Sequence, residues 1–409
     1  MKLSAILILL IFSESAFSQD FWHSANGPLN GKVTSIAIDS SNSIIFAGTS
    51  NGGVYRSAEN SNSWTQINSG LANTDIRALE INSSGIIFAG TFGGGIFIST
   101  DQGDSWNSSN TGLTNPFIYS LAVSPNGYIF AGTGQRCYRS TNNGINWTPV
   151  TSGFPASSVM SLAINSAGHL FATTLGSGLY RSTNNGDQWL LKDSGISNPD
   201  IKSVAVNANG IVFAGTFNGV YRSTNNGDSW QRKDSGITSV SAVYAIAFNS
   251  NNNVFIGKFG GGVYSSSDSG EFWIQKNSGL PDLNVNAVME DRNGFVYTGT
   301  NGSGVFKSIN TITDISQTVF PEKKIEELRN YPNPFNPVTF IHYSLSESDY
   351  VNLKVFDVSG KLVYSLIDKK QEPGSYDIEF AGGDLPGGVY FYRLVTGSYI
   401  QTNKMILIK

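Results

Sequence analysis

Seven tryptophans, Trp22, Trp64, Trp106, Trp147, Trp189, Trp230 and Trp273, recur at intervals of 41–43 residues. A fixed period of that size admits repeat architectures and little else. Aligned on Trp, one unit emerges. It holds an alternating apolar run, present as Val33–Ile38, Ile76–Ile81, Ile118–Val123, Val159–Ile164, Ile201–Val206, Val243–Phe248 and Val285–Met289. A turn follows, often with glycine, and then Phe-Ala-Gly-Thr or a variant, as at Phe46–Thr49 and Phe130–Thr133. A second glycine turn leads into Val-Tyr-Arg-Ser or similar, as at Val54–Ser57 and Val220–Ser223. Each run is short, β-branched and aromatic, and bounded by turn residues, which is the signature of a strand. Four strands in about 42 residues make one propeller blade. One blade leaves both faces bare, whereas a closed ring of blades buries them and limits exposed edges. The last apolar run ends at Ser308 with no Trp behind it, and Trp22 stands alone ahead of the first. The expectation is an all-β chain with a seven-bladed propeller over residues 19–308. The strand around Phe21 and Trp22 would complete the seventh blade and close the ring.

Composition agrees. Only 14% of residues are charged, against a norm of about 25%, and Gly, Ser, Asn and Thr supply turn chemistry instead. Aromatics at 12% exclude disorder. A net charge of −4 without a basic cluster excludes nucleic acid as a partner. Met1-Lys2, the apolar run Leu3 to Phe12 and the small-x-small site Ala16-Phe17-Ser18 read as a secretory signal peptide, 1–18. That apolar run is too short to span a bilayer, and no integral membrane segment is expected after cleavage. Cys137 is the single cysteine, so no intrachain disulfide forms. It stands where other units carry Val, Ile or Leu, as a small buried hydrophobe. His23, His169 and His342 are far apart in the chain, which argues against a histidine-based zinc site. Neither a cofactor nor a metal is expected.

The link into each Trp reads Ser-x-[Asp/Asn]-x-Gly-x-x-Trp. It comprises Ser99, Asp101, Gly103 and Trp106; Asn142, Gly144 and Trp147; Asn184, Gly186 and Trp189; Asn225, Gly227 and Trp230; Asp268, Gly270 and Trp273. The first copy is degenerate, with Glu59 and Ser61 in the Asp and Gly places. This motif resembles the Asp-box (bacterial neuraminidase) repeat, which decorates propellers of sialidases, some glucanases, sortilin-like receptors and photosystem assembly factors. The resemblance implies a structural role for the boxes. Elementary chemistry agrees, since a short Asp or Asn side chain accepts backbone N–H groups of a turn and glycine permits positive φ. The rival reading, calcium binding, needs several charged oxygens, and three of the boxes carry Asn.

A sialidase, by the same resemblance, needs three arginines converging on a carboxylate. Arg56, Arg139, Arg181 and Arg222 instead occupy one repeated position. A glucanase needs two carboxylates facing each other. Asp75, Asp200 and Asp282, in comparable loops before the innermost strand, are the acidic candidates for this alternative, an extracellular glycoside hydrolase of sialidase or glucanase type; no catalytic residue is assigned. In Asp-box propellers the box lies opposite the ligand face. Here that face would carry Phe92, Arg136, Phe217, Lys258, Phe259 and Asn301, suited to a glycan or a peptide. The competing expectation is that these rings fill gaps between blades.

After Ser308 the pattern breaks into a polar linker, 309–330. Three prolines in Tyr331-Pro-Asn-Pro-Phe-Asn-Pro337 form an extended lead-in. Alternating runs from Thr339 to Ile408 then read as a small Ig-like β-sandwich, 331–409. Pro332, Asn333, Pro334, Asn336 and Pro337, the block Val355-Phe-Asp-Val-Ser-Gly-Lys361, Gly388 and Tyr390 within Gly387–Arg393, and Lys404 in the terminal Lys-Met-Ile-Leu-Ile-Lys closely resemble the type A C-terminal sorting domain of the type IX secretion system. They are also similar to the Ig-like domain of the flagellar hook-capping protein. The resemblance implies a two-membrane bacterium, passage by the Sec pathway, and then recognition of 331–409 by the type IX translocon, delivering the propeller to the outer surface or the medium.

Overall fold

The computed structural model describes residues 20–28, 31–39, 41, 43–58, 63–207, 209–311, 328–345, 348–396 and 399–409. The expected signal peptide, the box positions Glu59 and Ser61, and residues 312–327 of the expected linker lie outside these. Among the described residues the N-terminal part forms seven four-stranded sheets, each antiparallel and each in sequence order except the last. The first runs Lys32–Asp39, Ile44–Ser50, Gly53–Ser57 and Thr65–Gln66 from inner to outer edge. The seventh takes three strands from one end of the repeat, Val285–Glu290, Val296–Thr300 and Val305–Ser308, and its fourth, Trp22–Gly27, from the other.

Packing explains the strand patterns. Second strands such as Ile87–Thr91 and Val212–Thr216 are buried at every residue. They pair on both edges and meet a neighbouring sheet on each face, so they read as continuous apolar runs rather than alternating ones. The outermost strands, such as Asn107–Ser108 and Gln231–Arg232, are two residues long and exposed, which blunts the edge. The ring closes where Trp22 pairs with Ser308. Ala25, Val33, Ile36, Tyr297 and Val305 share one core cluster across the seam, and Asn286 donates to the Val33 carbonyl at 3.1 Å.

The tryptophans staple sheets together. Trp106 Nε1 donates to Ile67 O at 2.7 Å, Trp147 to Ser109 O, Trp230 to Lys192 O and Trp273 to Lys233 O, each at 2.8 Å, always reaching the preceding sheet. Trp64 reaches Ala25 O (2.8 Å) and Trp22 reaches Lys276 O (2.6 Å), so the same bond spans the seam. Trp189 Nε1 has no partner among the described residues. A Ser-Gly pair a few residues past a Trp, such as Ser69-Gly70, or its counterpart Thr111-Gly112 after the second sheet, receives the next Trp. Trp106 N donates to Ser69 O at 2.9 Å. Gly70, at φ +88°, lies so close to the Trp106 carbonyl that any side chain would collide with it.

The C-terminal part is a two-sheet sandwich. One sheet holds Arg329–Tyr331, Val338–Leu345 and Gly374–Ala381; the other holds Leu362–Gln371, Asp349–Phe356, Gly388–Thr396 and Tyr399–Leu407. Ile341, Tyr343, Val351, Leu353, Val355, Tyr392, Leu394 and Met405 fill the space between them. The sandwich also takes in Leu328, a 5% exposed core residue, and the short strand Arg329–Tyr331; of these, sequence alone places Leu328, Arg329 and Asn330 at the end of the linker. The alternation that hid them is only three residues long. The two parts touch: Phe272 and Ile274 of the sixth sheet form a cluster with Val395 and Tyr350 of the sandwich.

Candidate functional site

Strand connectivity gives the ring two unlike faces. One carries the box turns, between the third and fourth strands. In the second sheet Ser99 Oγ accepts Gly103 N at 2.8 Å, and Asp101 Oδ1 accepts Ser105 N (3.0 Å) and the Ser99 hydroxyl (2.7 Å). Asn142 and Asn184 accept Asn146 N and Gln188 N at 3.0 and 2.9 Å, and Asp268 accepts Phe272 N at 3.0 Å, in the same geometry. The residue before each glycine, Gln102, Asn143, Asn185, Asn226 or Ser269, also has positive φ. The repeated arginines clasp the next box along. Arg139 reaches Asn185 O at 2.6 Å and Asp187 at 2.7 Å, and Arg222 reaches Ser269 O at 2.6 Å and Glu271 at 2.8 Å. Both oxygens of Asp101 are thus taken by protein donors, Ser105 Oγ holding the second at 2.6 Å. These bonds hold its carboxyl below the usual range, at about 2.

The opposite face carries the connections between sheets and the turns between second and third strands. Backbone bonds tie each turn there to the connection that enters its own sheet: Phe92 N donates to Asp75 O (2.8 Å), Phe259 N to Ala242 O (3.0 Å) and Asn301 N to Asn284 O (2.9 Å). Phe92, Phe217 and Phe259 are 37%, 53% and 46% exposed, so they do not fill gaps between sheets. Phe92 belongs to an aromatic cluster. Its ring lies 4.9 Å from Phe117 and 5.9 Å from Tyr119, and the Arg77 guanidinium sits 4.8 Å over it. Phe259 meets Tyr244 edge-on at 6.1 Å. Arg136 is half-buried, and its carbonyl accepts Thr133 Oγ1 at 2.8 Å.

The three acids do not converge. Asp75 pairs with Arg77 and Asp200 with Lys202, both at 2.9 Å, each acid just ahead of the innermost strand and each cation at that strand's second residue. They stand three sheets apart, in the second and fifth. Asp282 proves to be two residues out of register with them. Its Oδ1 accepts Asn284 N at 2.9 Å, as Asn73 accepts Asp75 N and Asn198 accepts Asp200 N, and its Oδ2 accepts Gly302 N at 2.7 Å. It caps a loop.

Lys258 is not an exposed loop residue as expected. It ends the strand Val254–Lys258 and is 1% exposed. Thr49, Thr91, Thr133, Thr174, Thr216 and Thr300 hold the same place elsewhere, and each hydroxyl bonds the carbonyl across its turn, as Thr49 Oγ1 does to Gly53 O at 2.9 Å. Burial pulls the Lys258 ammonium down to about 8, with Asp234 opposing and Arg232 assisting. Ser239 and Ser241, in the connection that enters the same sheet, have buried hydroxyl oxygens with no partner among the described residues. Sequence reasoning missed Arg77, Phe117, Tyr119 and Tyr244. The signal was available: Arg77, Tyr119 and Tyr244 occupy the second position of the innermost strand, which other units fill with Thr34, Met160, Lys202 and Asn286. A register shift in every sheet frees that position from regular alternation.

In the sandwich, the proline-rich lead-in is sewn to the last strand. Asn333 Nδ2 donates to Lys404 O at 3.1 Å and Asn333 Oδ1 accepts Ile406 N at 3.0 Å. Pro332 O accepts Thr339 Oγ1 and Pro337 O accepts Gly382 N, both at 2.8 Å. Tyr390 is buried with its hydroxyl on Pro386 O, and Gly388 has φ +157°. Residues 329–409 match the secretion system C-terminal sorting domain family. The module is a type IX sorting domain. It directs the chain to the cell surface or out of the cell. Upstream of the sorting domain, residues 70–200 match the DUF6242 beta propeller domain. Among solved structures, the chain is similar to PorZ, an essential surface component of the type IX secretion system of Porphyromonas gingivalis, at 16% identity and a TM-score of 0.53, covering 94% of this chain and 60% of that one. It is also similar to YCF48 bound to D1 peptide, at 15% identity and 0.61, covering 72% and 99%. A third likeness, to the GH74 enzyme of Niastella koreensis, has 21% identity and 0.53, covering 70% and 44%. At these identities the likeness is one of fold: a β-propeller. No curated protein matches the sequence.

Proposed function

We propose that residues 19–308 act as a binding propeller rather than an enzyme, delivered to the outer surface by the sorting domain. In this reading a signal peptide over 1–18 opens the Sec route, the type IX translocon reads 331–409, and the intervening segment is a tether. The ligand, a glycan or a peptide, sits on the face opposite the boxes, and the boxes are scaffold. One observation carries this: exposed rings cluster on that face, at Phe92 and Phe117 beside the half-buried Tyr119 and under Arg77, and at Tyr244 and Phe259, whereas the box face spends its polar groups on itself. Flat rings beside a guanidinium and amides suit sugar faces or peptide side chains. That the fold neighbour YCF48 is seen with a peptide supports a peptide over a glycan.

The test is a glycan and peptide array probed with the full mature chain and with Phe92→Ser. We expect a ligand whose binding falls roughly tenfold or more in the variant, the scale of one desolvated aromatic contact. A ligand bound equally well by both, or polysaccharide turnover lost in Asp75→Asn or Asp200→Asn, would overturn the reading.

A further inference from the structure

The outer rim of the sixth sheet breaks the repeat. The residue before Trp is polar at Ser63, Ser105, Asn146, Gln188 and Ser229, whereas Phe272 stands there in the sixth sheet and Phe21 ahead of Trp22 in the seventh. The first residue of the outermost strand is Thr65, Asn107, Thr148, Leu190 and Gln231 elsewhere, all exposed, but Ile274 here. An apolar pair on a rim facing water, as Leu190 and Leu191 are in the fourth sheet at 53% exposure each, costs solubility. Yet Phe272 and Ile274 are only 5% and 6% exposed, because the sorting domain covers them.

The covering surface is equally specific. Along the strand Asp349–Phe356, Val351, Leu353 and Val355 face the sandwich core, so Tyr350, Asn352 and Lys354 point outward. Tyr350 lies 6.3 Å from the Phe272 ring, and Val395, outward on the neighbouring strand, is 3% exposed. Polar contacts flank the apolar ones. Ser235 Oγ donates to Asp368 at 2.8 Å, and Asn352, 2% exposed, reaches the same hydroxyl at 3.5 Å. Two independent features therefore agree: a departure from the repeat visible in sequence, and its burial by another module.

We propose that the sorting domain is docked on the rim of the sixth sheet, its four-stranded sheet clamped to the propeller through Phe272, Ile274, Tyr350 and Val395. Cargo and tag are then exported as one body in one orientation. The three-stranded sheet stays free, with Tyr331 79% exposed, Phe340 45% exposed and the His342–Asp377 pair at 2.8 Å; this is the face available to a receptor. Removal of the tag uncovers an apolar strip at Phe272 and Ile274 that the intact protein hides.

The experiment uses the full chain carrying Ser235→Cys and Asp368→Cys, mildly oxidised and read by mass and non-reducing mobility. Cys137 does not compete, since it is fully buried and its thiol is pushed up to about 12. We expect an intramolecular disulfide in most molecules. Phe272→Ser, which installs a residue that three other sheets carry, should slow its formation roughly tenfold, the loss of one buried ring, with the unfolding temperature of the propeller retained. No intramolecular disulfide, or equal rates with and without Phe272→Ser in chains of equal stability, would overturn the proposal.

Discussion

The two faces of the ring are made by the same seven units and differ completely. On the box face, Ser140 and Asn142, Ser182 and Asn184, and Ser223 and Asn225 make the same bonds at nearly the same lengths. On the other face, corresponding places hold Asp75, Phe117, Ser158, Asp200, Ala242 and Asn284. Repetition marks what the ring needs in order to be a ring, and irregularity marks what a ligand could select. Lys258 in a threonine position, and Phe272 in a serine position, are departures of the second kind.

Three substitutions probe that division. The largest effect should come from the seam. Trp22 is 1% exposed and holds both the Ser308 pairing and the bond to Lys276 O. Trp22→Ala should destabilise by about 3–5 kcal/mol and broaden the thermal transition; an unchanged, cooperative melt would show that closure is not needed.

Next is Lys258→Thr, which restores the repeat. Below about pH 8 the native state must bury a charged ammonium. Between there and the ordinary lysine pKa near 10.4, the native state sheds its proton while the unfolded chain keeps it, so stability rises with pH. The variant should therefore be more stable at neutral pH, on the order of 1–2 kcal/mol once partial solvent screening is allowed for, with the gain shrinking above about pH 8. Denaturant titration at pH 7 and pH 10 checks this. A destabilised variant would place Lys258 among the scaffold residues.

The smallest effect belongs to Asp101→Asn. In the Asn225 box the contact that Asp101 makes with Ser105 runs in reverse, Asn225 Nδ2 donating to Ser229 Oγ at 3.0 Å. The melting temperature at pH 7 should shift by less than about 2 °C. The wild type should lose more stability than the variant as pH falls from the ordinary carboxylate range toward 2, because the Asp101 carboxylate titrates there and Asn does not. A large loss at pH 7 would mean that the negative charge itself matters.

Much of the fold was legible because periodicity amplifies weak signals: one Phe-Ala-Gly-Thr run is ambiguous, and its recurrence with Trp is not. The sandwich was legible from alternation, except at Leu328, Arg329 and Asn330, where a three-residue strand gives too few steps to read. The site was less legible. Phe92, Phe217 and Phe259 were identified from their turns, but Tyr119 and Tyr244 lie inside apolar strand runs, and their departure from alternation at the second position shows only when the units are set side by side. Lys258 was misplaced because its neighbours Phe259 and Gly260 read as loop, although Thr in six sister positions pointed to a buried strand end. The indole-to-carbonyl staples were invisible for a plain reason: their acceptors are backbone atoms nearly one full repeat away.

The seam has a consequence for how such a disc comes into being. Trp22 waits for Ser308, so every intervening sheet must be made before the circle can lock, and a chain cut short anywhere along the way keeps a raw margin on the sheet that should have met it. Completeness is thereby checked by geometry, with no separate inspector: only a polypeptide that reaches Ser308 leaves no open margin at the seam.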